Sequence, residues 1–118
     1  MARIDYQKID FISEIYPKIL ERLAKKELHY TKTRSNPNWV NLTVDIVSVK
    51  TTKNSPNFEE IPIEFFVSTW NLLVKKGEVT QSELSKDHNI KRSAFMLIAF
   101  DLLDIVDYIP SRNAHKQI

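Results

Sequence analysis

At the beginning of the chain, apolar and polar residues alternate with the spacing of a helix. Ile12, Ile15 and Ile19 recur at intervals of three and four residues, as on one face of an amphipathic helix. We predict this helix over residues 6–26. Pro17 interrupts it, because proline lacks the backbone N–H and its ring clashes with the preceding turn. We expect either a kink or a short helix followed by a second one that begins there.

The pattern then changes to a period of two residues. Between residues 40 and 46 apolar side chains alternate with polar ones, as in a strand with one buried face. Residues 35–38 read SNPN, a sequence typical of a turn. We therefore predict a β-hairpin over residues 28–50. The alternation slips at Ile46 and Val47, which indicates a bulge or bend.

Helical spacing resumes after a stretch without periodicity. Residues 50–60 combine turn-forming and charged residues, and we predict a mobile loop there. Apolar residues such as Phe66 and Trp70 then mark a helix over residues 63–76. Gly77, the only glycine of the chain, follows it directly. Glycine accepts positive φ without steric cost, so the helix should end at this position.

Two local signals mark the elements that follow. Thr80 to Glu83 read TQSE, a capping box in which the threonine oxygen accepts the backbone N–H of the glutamate. Asn89 is suited to the left-handed conformation in a turn. We predict a short helix over residues 81–87 and a longer helix over residues 91–104. A strand over residues 105–110 and a polar tail over residues 111–118 follow.

From residue 63 to 110 this arrangement resembles the helix-turn-helix of the winged-helix superfamily. The matching features are a first helix, a second helix capped by Thr80, a turn closed by Ile90, a third helix and a following strand. We predict an α+β fold: a winged-helix-like helix-turn-helix core with an N-terminal amphipathic helix and a β-hairpin. At 118 residues we expect one domain, with the helix and hairpin in residues 1–58 and the helix-turn-helix part in residues 59–118.

The resemblance implies binding of duplex DNA, with the start of the third helix in the major groove. The candidate DNA-binding side chains in this part are Lys91, Arg92 and Ser93 at that start, Gln81, Ser82 and Lys86 near the DNA backbone, and Arg112 in the wing. The tail leaves little room for a returning strand. The hairpin is therefore a candidate substitute for the wing, and it would bring Lys32 and Arg34 to the surface.

The third helix departs from the pattern of a DNA reader. Met96, Phe100 and Leu103 form a second apolar strip beside the core stripe, and Leu97 lies on the face that would need a hydrogen-bonding side chain. A second strip indicates a second packing partner, either the N-terminal helix or another copy of the chain. The alternative function is thus a protein-interaction or dimerisation module that uses these four side chains.

Composition limits the remaining function classes. A net charge of +2 and a pI of about 8.8 permit nucleic-acid binding without requiring it. A chain with no cysteine and one glycine has neither thiolate zinc sites nor glycine-rich phosphate loops, and its three histidines lack metal-ligand spacing. Each histidine is expected to be a surface or capping residue. We expect no catalysis, no cofactor and no metal.

The longest apolar run is far short of a bilayer span, and no signal-peptide segment is evident at the N-terminus, so we expect a cytoplasmic protein without membrane contact. The leading hypothesis is a duplex DNA-binding module, sequence-specific or non-specific. It would act as a small regulator or as the recognition domain of a larger defence or restriction-type protein.

Overall fold

The computed structural model describes residues 10–31, 36–43, 46–103, 106–109 and 114–117, and it has an α+β fold with two antiparallel sheets. One sheet has four strands, which are neighbours in the order in which they occur along the chain, and the other sheet has three. The two sheets and three α-helices share one hydrophobic core cluster. None of the helices in the described ranges is long and apolar enough to cross a lipid bilayer.

The N-terminal helical region consists of two pieces. A π-helical turn, Phe11–Ile15, is capped by Asp10, whose carboxylate accepts the backbone N–H of Ile12 at 3.1 Å. Helix α1, Tyr16–Leu23, follows with Pro17 in its first turn, where a missing N–H costs nothing. The expectation of a second helix beginning at the proline is confirmed. Helix α1 ends three residues before the predicted boundary, and residues 6–9 lie outside the described ranges.

The four-stranded sheet replaces the predicted simple hairpin. Its strands are β1 (Leu28–Tyr30), β2 (Pro37–Thr43), β3 (Ile46–Lys50) and β4 (Glu59–Ile61). The slip in alternation at Ile46 marks the start of a new strand rather than a bulge, because Ile46 pairs with Thr43 across the antiparallel β2–β3 ladder. Strand β4 adds a fourth strand from residues that were predicted to be loop, and the loop itself covers residues 51–58.

One face of this sheet belongs to the core. Val40, Val47, Val49 and Ile61 are buried, and the ladder places Val40 beside Val49 and Val47 beside Ile61. Side chains of paired residues in an antiparallel sheet point to the same face, so these four form a continuous apolar surface. The opposite face includes the exposed Ile46.

The C-terminal half begins as the local signals predicted. Helix α2 spans Ile63–Lys76, and Gly77 ends it in the left-handed conformation with φ 83° and a backbone hydrogen bond to Leu73 O of 2.8 Å. After β5 (Glu78–Thr80), Thr80 Oγ1 accepts the backbone N–H of Glu83 at 3.1 Å. A short helical segment follows, π-helical over Glu83–Asp87. Asn89 has φ 51°, so its predicted left-handed conformation is also confirmed.

The third helix is shorter and the end of the chain more ordered than predicted. Helix α3 spans Ser93–Asp101, because Arg92 has a left-handed backbone conformation that no α-helix contains. Strand β6 (Val106–Ile109) is followed by β7 (Ala114–Gln117), although a polar tail was predicted there. Strand β7 lies between β5 and β6 and pairs with both. A returning strand is therefore present.

Helix α3 packs against α1, α2 and two strands of the three-stranded sheet. The ring of Phe11, from the N-terminal π-helical turn, stacks on Phe100 with centroids 6.0 Å apart and contacts Trp70 of α2 at 5.7 Å. Arg22 of α1 donates a hydrogen bond of 2.5 Å to Leu102 O, just after the end of α3. The N-terminal helix of the same chain is thus a packing partner of the second apolar strip.

We predict that replacing Gly77 by alanine destabilises the domain by about 1 kcal/mol. No atom lies within 4 Å of the position a Cβ would take, so the cost comes from the positive φ and not from a clash. Equilibrium denaturation of G77A measures this difference. The control is N71A on the exposed face of the same helix, which should not lose stability because alanine is the better helix former. Equal losses in both variants would contradict the assignment.

Candidate nucleic-acid interface

The turn that joins the π-helical segment to α3 is held by one buried residue and is otherwise exposed. Ile90 is 3% exposed, and its backbone N–H donates to Leu84 O at 2.9 Å. The residues on either side, 85–89 and Lys91, are exposed. Left-handed backbone at Asn89 and at Arg92 reverses the chain on both sides of this anchor. We call residues 85–91 the exposed turn.

Two lysines of the exposed turn have free ammonium groups. The side chains of Lys86 and Lys91 are exposed and make no hydrogen bond or ion pair with any residue in the described ranges. Ser82, which precedes the exposed turn, is exposed, and Gln81 is half-buried. By contrast, the nearby Lys76 pairs with Glu83. The structure therefore leaves the cations at the turn available to an anionic partner.

Arg92 is committed to another part of the chain. Its Nε donates to Glu59 Oε2 of β4, in an ion pair whose side chains are 32% and 51% exposed. An ion pair with this exposure stabilises a protein by at most about 1 kcal/mol. Its structural effect is to link the start of α3 to the edge of the four-stranded sheet. Sequence reasoning missed Glu59, because nothing local connects two residues 33 positions apart.

The start of α3 does not present the three side chains that the resemblance nominated. Ser93 is 6% exposed, which removes it from the surface, and Arg92 is paired with Glu59. Only Lys91 remains fully exposed. Three further candidates, Lys32, Arg34 and Arg112, lie outside the described residues.

The side chains proposed for a protein interface are part of the core. Met96 and Phe100 have no exposed surface, and Leu97 and Leu103 are 5% and 4% exposed. These four residues therefore form no contact surface for a second protein. The N-terminal helical region, through Phe11, covers the strip that the sequence left without a partner. A second copy of the chain is not needed to bury it.

The burial of α3 also limits how it could meet DNA. Its most buried large side chains are those of Phe95, Met96, Leu97, Ile98 and Phe100, all at most 5% exposed. Exposing them to water would cost roughly 10 kcal/mol. Non-specific DNA binding releases only about 5–8 kcal/mol. Helix α3 therefore remains in the core.

The histidines occupy three different environments. His29 is buried and its Nε2 lies 3.0 Å from Lys26 O and 3.2 Å from Leu23 O, so it caps the end of α1 as expected. His88 is exposed in the turn. His115 of β7 was not expected to be internal; it is buried, with Nε2 3.2 Å from Asp101 Oδ1 at the end of α3. Within the described ranges no three histidine, aspartate or glutamate side chains are grouped as metal ligands.

Comparisons with protein-family models, curated proteins and solved structures found no match. The chemistry of the exposed turn is therefore the basis for proposing a function.

We predict that R92G is more stable than R92A by about 1 kcal/mol, since both variants lose the ion pair but only glycine relieves the positive φ. Thermal or urea denaturation measures the difference. Lys91 provides a matched control, because its φ is not positive and the order should reverse there, with K91A more stable than K91G. The same order at both positions would contradict the left-handed conformation of Arg92.

We also predict that L97D loses several kcal/mol of stability, because it places an unpaired carboxylate in the core. The control A94D adds the same charge at a half-buried position in the first turn of α3, where a carboxylate interacts favourably with the helix dipole. A94D should remain folded in circular dichroism and denaturation experiments. A stable, folded L97D would show that Leu97 is accessible.

Proposed function

We propose that the chain contains a winged-helix-type domain that binds duplex DNA mainly through the phosphate backbone. The order of α2, β5, the short helical segment, α3 and β6 follows the resemblance seen in the sequence, and β7 supplies the returning strand that such a domain requires. This arrangement supports the fold assignment. The observation that carries the function is the pair of free, exposed lysines in the turn before α3.

Lys86 and Lys91 suit phosphate contacts because neither has an internal partner to give up. Each cation that meets a phosphate releases a condensed counterion, which supplies most of the free energy of non-specific binding. Ser82 is exposed one turn earlier and offers a neutral hydroxyl donor to the same backbone. The buried Ile90 between the lysines fixes the turn, so little order has to be gained on binding.

The N-terminus of α3 adds an electrostatic field that favours an anion near Lys91. Its first helical hydrogen bond is donated by Met96 to Arg92 O, and no side chain caps the N–H groups before it. The N-terminus of a helix carries a partial positive charge and favours anions. Lys91 lies two residues before this nine-residue helix. A phosphate near Lys91 would offset the repulsion between the lysine and the helix dipole.

Base readout has a minor role in this proposal. Discrimination between base pairs needs polar side chains that reach the base edges, and α3 offers apolar, buried ones over most of its length. Arg92, which follows the exposed turn, is held at the edge of the four-stranded sheet by Glu59. We therefore expect weak sequence preference. Such a module would serve a small regulator or the recognition domain of a larger defence or restriction-type protein.

We predict that the double variant K86A/K91A binds random duplex DNA roughly tenfold more weakly at low salt. The slope of log affinity against log salt concentration should fall by about 2, one for each lost phosphate contact. Fluorescence anisotropy over a salt series measures both quantities.

The matched control is K25A/K26A, which removes the same charge from exposed positions just after α1. Arg22 holds this end of α1 beside Leu102, so these lysines lie toward the opposite end of α3 from the exposed turn. They should leave the affinity within about twofold of wild type, allowing only for net charge. Equal effects of the two double variants would show that binding is not located at the turn. No binding by wild type at low salt would remove the proposed function.

A further inference from the structure

A second cationic site lies where the four-stranded sheet meets the start of α3. An open cavity of about 170 Å³ is lined by the end of β3, part of the loop over residues 51–58, Glu59 of β4 and Arg92. A single water molecule needs about 10–15 Å³ of such accessible volume, so the cavity has room for a polyatomic group. The size suits one chemical group of a ligand, open to solvent on one side.

Lys50 is held in place at the rim of this cavity. Its ammonium donates to Ser55 O at 2.9 Å and to Lys53 O at 3.1 Å, and it lies 4.8 Å from the centre of the Phe58 ring. A lysine normally loses much rotamer freedom when it binds a ligand. These contacts have already restrained the side chain, and they leave its positive charge without a carboxylate partner in the described ranges.

Arg92 brings a second cation to the same cavity. It binds Glu59 through Nε alone, and its two terminal nitrogens make no hydrogen bond or ion pair with a described residue. A guanidinium can bind one anion along each edge, and a free pair of terminal N–H groups matches two oxygens of a phosphate. Glu59 thus orients the guanidinium while leaving its other edge to a ligand.

The remaining lining is neutral and rich in donors. Thr51 and Thr52 are exposed, and their hydroxyls have no partner among the described residues. With Lys50 and Arg92 positive and Glu59 negative, the two positive charges and one negative charge leave a net charge of +1. The lining thus offers a point charge, a planar fork and two hydroxyls, a set of donors that suits the several oxygens of a phosphate.

We propose that this cavity is a binding site for a phosphate group, either free or at the end of a polynucleotide. Lys50 supplies the charge, the terminal nitrogens of Arg92 grip two oxygens, and the hydroxyls of Thr51 and Thr52 contact the others. The exposed turn with Lys86 and Lys91 is not part of the site, so the inference does not rest on the proposed DNA binding.

Nuclear magnetic resonance titration of the intact chain with inorganic phosphate tests the proposal. The backbone amide signals of Thr51 and Thr52 should shift with saturation, and sodium chloride at equal ionic strength should not reproduce the shifts. Shifts that chloride reproduces, or shifts confined to Lys86 and Lys91, would overturn the site. This measurement uses the unaltered protein, so it stays decisive even if a substitution disturbs the loop.

Substitutions then locate the charge. K50Q should weaken phosphate binding about tenfold, as expected for the loss of a charged hydrogen-bond donor. K53A removes an exposed lysine of the same loop and keeps the carbonyl that Lys50 contacts, so it should stay within about twofold of wild type. Denaturation curves for both variants confirm folding. If both variants weakened phosphate binding equally, binding would depend on the net charge of the loop and not on Lys50, which contradicts the proposal.

Oligonucleotides distinguish the sources of the phosphate. A short single strand with a 5′-phosphate that shifts Thr51 and Thr52 more strongly than inorganic phosphate identifies a polynucleotide end as the ligand. If inorganic phosphate gives the stronger effect, the site takes the free ion. Identical shifts from the 5′-hydroxyl form of the same strand would show that the terminal phosphate is not recognised, and would rule out a polynucleotide end as the ligand. K86A/K91A should leave these shifts unchanged, which separates this test from that of duplex binding.

Discussion

The burial of helix α3 from Phe95 to Phe100 is the constraint on which the rest of the structure depends. Every side chain of this helix from Phe95 to Phe100 is buried. The N-terminal helical region covers the remaining strip by stacking Phe11 on Phe100 and against Trp70. The cost of uncovering these side chains is comparable to the whole stability of a domain of this size. The N-terminal region is therefore an integral part of the fold.

Because α3 is buried, the exposed polar side chains near it lie at two places beside its start. One is the exposed turn, and the other is the edge of the four-stranded sheet. At the exposed turn, Ile90 points inward and Lys86 and Lys91 remain in solvent without internal partners. At the edge of the four-stranded sheet, Arg92 meets Glu59 beside the pinned Lys50. Both places present cations to anions, one as an open surface and the other as a small cavity. We propose that the open surface binds an extended polyanion and that the small cavity binds a single phosphate group.

Several local features were predictable because a few neighbouring residues determine them. The bounds of α2 agree with the apolar spacing, and Gly77 ends the helix since only glycine takes positive φ without cost. Thr80 caps the next helical segment, and Asn89 adopts the left-handed conformation. Pro17 marks the beginning of α1 because its missing N–H is harmless only in a first turn. The candidate site was predicted in part: Lys86 and Lys91 are exposed as expected, whereas Ser93 is buried.

The sequence by itself determined the bounds of α2, the cap at Thr80, the left-handed turn at Asn89, and that α3 needs more than one apolar partner. Only the tertiary structure decided which segment covers that helix, that β7 inserts between β5 and β6, and that Arg92 pairs with Glu59. The physical reason is the range of the interactions. Caps, left-handed residues and helical spacing depend on bonds within a few residues, so their pattern is local. Strand order, helix burial and ion pairs depend on residues brought together from distant positions, and many such pairings satisfy the same local pattern.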